Sequence, residues 1–257
     1  MKRSACLVSM FAVTLFWLTG FSTADIEIGD FEAQTYKGKK ELPYLLYSPA
    51  KIKAGTKVPL VVFLHGIGAR GDDNQKQLAY TRFLDHINKS GFFKNHPCYI
   101  LAPQCPDKSY WSRSTMETLL ALIDKEADAK QVDTNRIYMT GLSMGGFGTW
   151  EALKQKPAMF AAALPICGGG KPAAAKTFAN VPIWVFHGDQ DKTVKPEKSR
   201  EMVAALEKAG GQPKYTELKG VGHGSWSAAY TSPEVWRWMF QQKRGTKKSP
   251  AGLSNQP

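Results

Sequence analysis

The chain has 257 residues, 43% of them hydrophobic and 22% charged. That is ordinary globular composition for a single α/β domain, and it excludes both wholesale disorder and a small scaffold that needs disulfides to hold its core. The formal net charge of +12 invites a nucleic-acid reading. Lys2 and Arg3 lie in a leader, however, and Lys243, Arg244, Lys247 and Lys248 lie in a tail without acids, so removing these two groups leaves +6 for the body. A modest positive surface can favour anionic polymers or wall material, but it specifies no partner, and no nucleic-acid partner is expected.

Residues 1–24 read as a secretory signal peptide. Lys2 and Arg3 form the positive start, residues 6–21 are almost wholly apolar, and Ser22-Thr23-Ala24 places small residues at the cleavage positions. The apolar run is short for a membrane span, and Cys6 stands at its start, the wrong place for a lipid-anchoring cysteine. The expectation is a secreted or periplasmic protein with no stable membrane anchor, its mature chain starting near Asp25. Residues 25–242 show no internal repeat and no linker and read as one domain. Residues 243–257 read as a basic, mobile tail. Three cysteines remain after cleavage, Cys98, Cys105 and Cys167, and an odd number cannot all pair. Cys98 and Cys105 flank one extended strand, which holds them too far apart to bond. Buried free thiols are expected, with a bond from Cys167 to one of the others left open. No spacing resembles a zinc site, and no metal or cofactor is expected.

In chain order, Phe31–Tyr36 and Leu42–Tyr47 read as strands joined by a turn at Gly38-Lys39-Lys40. Leu60–Leu64 is a continuous apolar run, as a strand buried on both faces requires. Tyr99–Ala102, Ile137–Thr140, Ala161–Ile166, Ile183–Phe186 and Lys214–Leu218 follow as further strands. Between them, Met116, Leu119, Leu120, Ile123 and Ala127 form one apolar helix face, Ser199–Ala209 repeats the pattern, and Pro233 opens a last helix carrying Trp236 and Phe240. This alternation predicts an α/β fold: a mostly parallel sheet of about eight strands with helices on both faces. Ligands in such sheets sit at the carboxyl ends of the strands.

The chemistry lies at those ends. After Ile137–Thr140 comes Gly141-Leu142-Ser143-Met144-Gly145, a G-x-S-x-G string between a strand and a helix, where a tight turn presents the serine and tolerates no side chain at Gly141 or Gly145. A serine needs a base, and His223 in a glycine-flanked loop is the histidine that lies downstream of both Ser143 and a plausible acid. Two aspartates compete for the acid after Ile183–Phe186. Asp189 sits in the immediate turn, where Asp often caps its own backbone. Asp191 lies farther along, able to turn back toward the imidazole, and is favoured. The oxyanion needs two N–H donors. Met144 at the helix start supplies one, and Ile67 in the His65-Gly66-Ile67-Gly68 loop is the choice for the other. That loop lacks the Gly-Lys-Ser/Thr of a phosphate-binding loop.

On these residues the chain resembles the α/β-hydrolase superfamily. The likeness is nearer to secreted phospholipase/carboxylesterase-like and polyhydroxybutyrate-depolymerase-related, feruloyl-esterase-like serine esterases. It is carried by Phe63–Gly68 with Arg70–Asn74, Leu101–Pro106, Gly141–Gly146, and His187–Val194 followed by His223. The resemblance implies an eight-stranded hydrolase sheet, a Ser143–Asp191–His223 triad, an Ile67/Met144 oxyanion hole, no cofactor, and Gln104 near the site. Between Cys167 and Val181, where many lipases carry a lid, the chain offers only a short loop, so no large lid is expected. Trp111 and Trp226 are candidate aromatic contacts for a sugar or phenolic group, while Trp150 and Trp184 read as core. The expected activity is hydrolysis of short acyl, acetyl or feruloyl esters, free or on polysaccharide. The competing readings are a peptidase of the prolyl-oligopeptidase kind and a noncatalytic carbohydrate-binding module.

Overall fold

A computed structural model describes residues 24–50 and 52–245. The expected leader, apart from Ala24, and residues 246–257 of the expected tail lie outside the described residues. Eight strands form one sheet: β1 (Phe31–Lys37), β2 (Glu41–Tyr47), β3 (Val58–Leu64), β4 (Tyr99–Pro103), β5 (Val132–Leu142), β6 (Ala162–Ile166), β7 (Trp184–Gly188) and β8 (Lys214–Leu218). The helices are α1 (Lys76–Ala79), α2 (Phe83–Lys89), α3 (Arg113–Ala129), α4 (Met144–Gln155), α5 (Ala175–Phe178), α6 (Glu197–Lys208), α7 (Trp226–Thr231) and α8 (Pro233–Gln241). The spatial order is β1-β2-β4-β3-β5-β6-β7-β8. β1 and β2 pair antiparallel, as do β2 and β4; from β4 to β8 every pairing is parallel. The fold is the single-domain, mostly parallel α/β sheet that the strand-helix alternation predicted.

The sheet lies between two apolar layers, and β3 shows why its sequence is continuously apolar. Successive side chains point to opposite faces. Leu60, Val62 and Leu64 enter one layer with Met116, Leu119 and Ile123 of α3 and Leu153 of α4. Val61 and Phe63 enter the other with Phe83 of α2 and Trp236 and Met239 of α8. The β3–β5 register shifts between Val58 and Leu60, at Pro59, which has no N–H to give the ladder.

Two segments differ from expectation. β5 begins at Val132, well before Ile137, because its polar first half carries no apolar signal. The stretch expected as a plain loop holds a 3-10 turn, Pro172–Ala174, opened by a proline, and the short helix α5, anchored by the buried Ala175 and Phe178. No described helix is long and apolar enough to cross a membrane. Cys98, Cys105 and Cys167 are buried free thiols.

Candidate active site

β5 ends at Leu142 and α4 begins at Met144, so Ser143 alone makes the turn. Its backbone sits at φ 54°, ψ −118°, a sparsely populated conformation for a residue with a side chain. The flanking glycines explain how the turn closes. A Cβ on Gly141 would lie 2.4 Å from the Gly145 carbonyl oxygen, and one on Gly145 would lie 2.0 Å from that of Leu64. The Ser143 N–H donates to the Ile166 carbonyl at 3.0 Å, tying the turn to β6.

The structure brings Ser143, His223 and Asp191 into one chain of hydrogen bonds. His223 Nδ1 donates to Asp191 Oδ2 at 2.7 Å, and His223 Nε2 lies 2.9 Å from Ser143 Oγ, positioned to accept its proton. The Asp191 carboxylate is buried, and its Oδ1 accepts the N–H groups of Thr193 and Val194 at 2.8 and 2.9 Å. Burial pushes this carboxyl upward, but the His223 bond and the two amide bonds outweigh it and hold it below the ordinary carboxylate range. Asp189, the competing acid, is spent elsewhere: its Oδ1 accepts the Gly220 N–H at 2.7 Å, closing the turn.

Ile67 and Met144 are the first residues of their 3-10 turn and helix. First-turn N–H groups have no partner within a helix. Ile67, Ser143 and Met144 line one cavity of about 530 Å³. The loop between β3 and the 3-10 turn is braced from beneath by the buried His65. Its Nε2 accepts the Cys105 N–H at 2.9 Å, which makes Nδ1 the protonated nitrogen facing the Gly66 carbonyl at 2.6 Å. Burial lowers the pKa of His65 to about 4, in keeping with a neutral ring. At Gly68 the Tyr80 ring fills the space where a side chain would be.

Of the candidates Gln104, Trp111 and Trp226, Trp111 lines the cavity beside Ser143. Gln104 is fully buried, with its amide consumed by structure: Nε2 donates to the Ala69 carbonyl and to Asp73, and Oε1 accepts the Asn74 N–H. It holds the loop after Ile67 rather than a ligand. Trp111 is 2% exposed and donates Nε1–H to the His65 carbonyl at 3.1 Å; it is a packed wall of the cavity. Trp226 meets the His223 ring edge-on, with centroids 5.6 Å apart. The two tryptophans therefore brace separate parts and do not form one open platform.

His187, named above only as the start of the His187–Val194 segment, is the residue whose place sequence reasoning missed. It is fully buried, with Nε2 2.8 Å from the Val194 carbonyl and 3.2 Å from Asp191 Oδ2. Both are acceptors, so Nε2 carries a proton. Nδ1 lies 2.7 Å from Ser199 Oγ. Nothing in the local pattern separates this from an ordinary strand terminus, since its role comes from burial against a loop four residues away. Cys167 was likewise unassigned; its sulfur lies with an Asp191 oxygen and a His223 nitrogen within 4.8 Å of one another. Burial raises this thiol to about 12, so it is protonated. The other two groups are already bonded to each other, a poor arrangement for a metal ion.

The sheet, the strained serine turn and the hydrogen-bonded Ser, His and Asp define a hydrolase of the α/β type. Residues 104–233, about half of the chain, match the dienelactone hydrolase family, and the chain belongs to that family. A thermostable esterase of known structure is 40% identical and superposes with a TM-score of 0.79, over 84% of this chain and 64% of that one. The bifunctional acetylxylan esterase/xylanase XynS20E of Neocallimastix patriciarum is 29% identical over 149 residues, 57% of this chain and 21% of that protein. An acylaminoacyl peptidase shares the fold at 18% identity and a TM-score of 0.62, over 86% of this chain and 43% of that one. The chain thus spans about a fifth of the curated relative and just under two thirds of the esterase.

Proposed function

We propose that the protein is a serine carboxylic ester hydrolase. The observation that carries this reading is the unbroken hydrogen-bond chain from Asp191 through His223 to Ser143, opening on a cavity that also exposes the starts of two helical segments. In this reading His223 takes the Ser143 proton as Oγ attacks the ester carbonyl. The N–H groups of Ile67 and Met144 stabilise the tetrahedral oxyanion. His223 then protonates the departing alcohol, leaving an acyl-enzyme, and next removes a proton from water, which attacks the acyl carbon and frees the acid and Ser143. Asp191 keeps the imidazole in the Nδ1–H tautomer and stabilises its charged form.

The proposed substrates run from short acyl and acetyl to feruloyl esters, free or linked to polysaccharide. The esterase relative and the acetylxylan esterase/xylanase support this range. We propose further that residues 1–24 direct export, that 25–242 form the catalytic domain and that 243–257 form a basic tail. N-terminal sequencing of the exported protein should read from Asp25.

A fluorophosphonate probe should label the wild type and leave Ser143→Ala unlabelled; labelling of the variant, or silence of the wild type, overturns the mechanism. Turnover of aminoacyl amides without turnover of p-nitrophenyl acetate would replace the esterase reading with a peptidase.

A further inference from the structure

We infer that the site is built for esters with one bulky, largely apolar group and discriminates against small acetyl esters. This inference rests on the ester-hydrolase reading of Ser143. The cavity does not stop at the serine. Phe147, Glu151 and Lys154 also line it, and with Ser143 they recur every three or four residues, one strip up a single face of α4. Eleven residues at ~1.5 Å each give that strip a length of roughly 16 Å. The facing wall is the segment between β6 and β7, with Gly169, Ala174 and Phe178. This is the stretch that folds into a 3-10 turn and α5 instead of a plain loop.

Size argues against a site made for acetyl. The cavity measures about 530 Å³; at ~30 Å³ per water in the liquid, that is roughly seventeen water volumes. An acetyl methyl would leave most of it to solvent and would gain little from its walls. The walls are mainly apolar and aromatic, with Tyr110, Trp111, Phe147, Trp150 and Phe178 among them. Three of the exposed large hydrophobic side chains, Ile67, Tyr110 and Phe147, also line this cavity. Exposed apolar side chains grouped at a concavity mark where an apolar ligand is received. The lining also holds polar groups: Lys154 Nζ contacts both Glu151 carboxylate oxygens at 2.7 Å, and Lys171 is a further lining residue. The fitting ligand is flat and largely apolar and tolerates a polar substituent. The bulky group touches the cavity walls in the bound substrate and in the transition state alike, and both count in kcat/KM, which is where the preference is read.

Three alkyl esters test this by titrating released acid: ethyl acetate and the isomers ethyl 4-phenylbutyrate and 4-phenylbutyl acetate. At least one isomer should exceed ethyl acetate on the order of 100-fold in kcat/KM. The isomer that does so identifies whether the cavity takes the acyl or the alcohol side. Both isomers falling within about threefold of ethyl acetate would overturn the inference while leaving the esterase reading intact. No turnover of any of the three, together with no fluorophosphonate labelling, would instead remove the esterase reading. As a second arm, Ala174→Phe adds a ring to the cavity wall formed by the segment between β6 and β7. It should lower the ratio of bulky-ester to ethyl-acetate kcat/KM by about tenfold with Tm retained; an unchanged ratio in the folded variant also counts against the inference.

Discussion

Asp191 is held by three donors besides burial: His223 Nδ1 on Oδ2, and the Thr193 and Val194 amides on Oδ1. Its carboxyl therefore stays ionised through the mildly acidic range, and its contribution to folding is lost only as pH falls through its lowered pKa. Asp191→Asn should keep the fold but present the wrong tautomer of His223 to Ser143, cutting kcat by about 10³–10⁴ at neutral pH in an ester assay. His187 acts one layer farther out, as a positioning residue. Its Nε2–H donates to the Val194 carbonyl at 2.8 Å and lies 3.2 Å from Asp191 Oδ2. His187→Leu should lower kcat/KM on the order of tenfold through misplacement of Asp191. His187→Gln, which offers a side-chain N–H at a similar reach, should recover most of it. The order Ser, acid, His was legible because Ser143 and Asp191 each follow an apolar strand and the fold fixes their sequence. The distinction between Asp189 and Asp191 was legible only as a preference, since both lie in one loop and their separate hydrogen bonds are made to distant residues.

At the level of elements, the serine turn depends on how closely α4 approaches β3. The Gly145 backbone lies so near the Leu64 carbonyl that an added methyl group would sit 2.0 Å from its oxygen. Backbone cannot yield as a flexible side chain can, so Gly145→Ala should destabilise the protein by about 3 kcal/mol and displace Ser143. Urea unfolding together with fluorophosphonate labelling checks both effects, and near-native stability with full labelling would count against this account. The strands were readable because burial on both faces demands unbroken apolar runs, as in β3. The helices were readable because burial on one face demands three- and four-residue spacing, as in α3. α5 was not readable: four residues are too short to show a period, and its place is set by Phe178 packing near Trp150, with ring centroids 6.0 Å apart.

For the whole molecule, the buried histidine beneath the serine loop couples stability to pH. His65 titrates near 6.5 when unfolded and about 4 when folded. Between those values the unfolded chain binds the proton and the folded one does not, so this contribution is complete above pH 6.5 and is lost as pH falls toward 4. The difference amounts to about 3 kcal/mol. Urea unfolding across that range should show the loss, and the slope should shrink in His65→Gln; an unchanged slope would show that the group is not responsible. The same burial governs the cysteines. Cys105 and Cys167 are pushed up to about 12, and Cys98 is also raised. On the chain lacking residues 1–24, and with them Cys6, a thiol reagent such as Ellman's should be silent on the native protein and should count these three thiols once it is unfolded.

The amino-acid sequence by itself determined the parallel α/β sheet, the turn that carries Ser143, and the set of residues able to serve as base and acid. These follow from local rules: periodicity of burial, the steric demand of a tight turn, and the order of loops at one sheet edge. Only the tertiary structure decided that the Gln104 amide is taken up by the loop after Ile67, that Trp111 is a wall of the cavity, that His187 lies against Asp191, and that the cavity beyond Ser143 continues along α4. Each of those outcomes depends on which side chains from distant segments meet, and on whether a polar group finds its partner inside the protein or is left for a ligand.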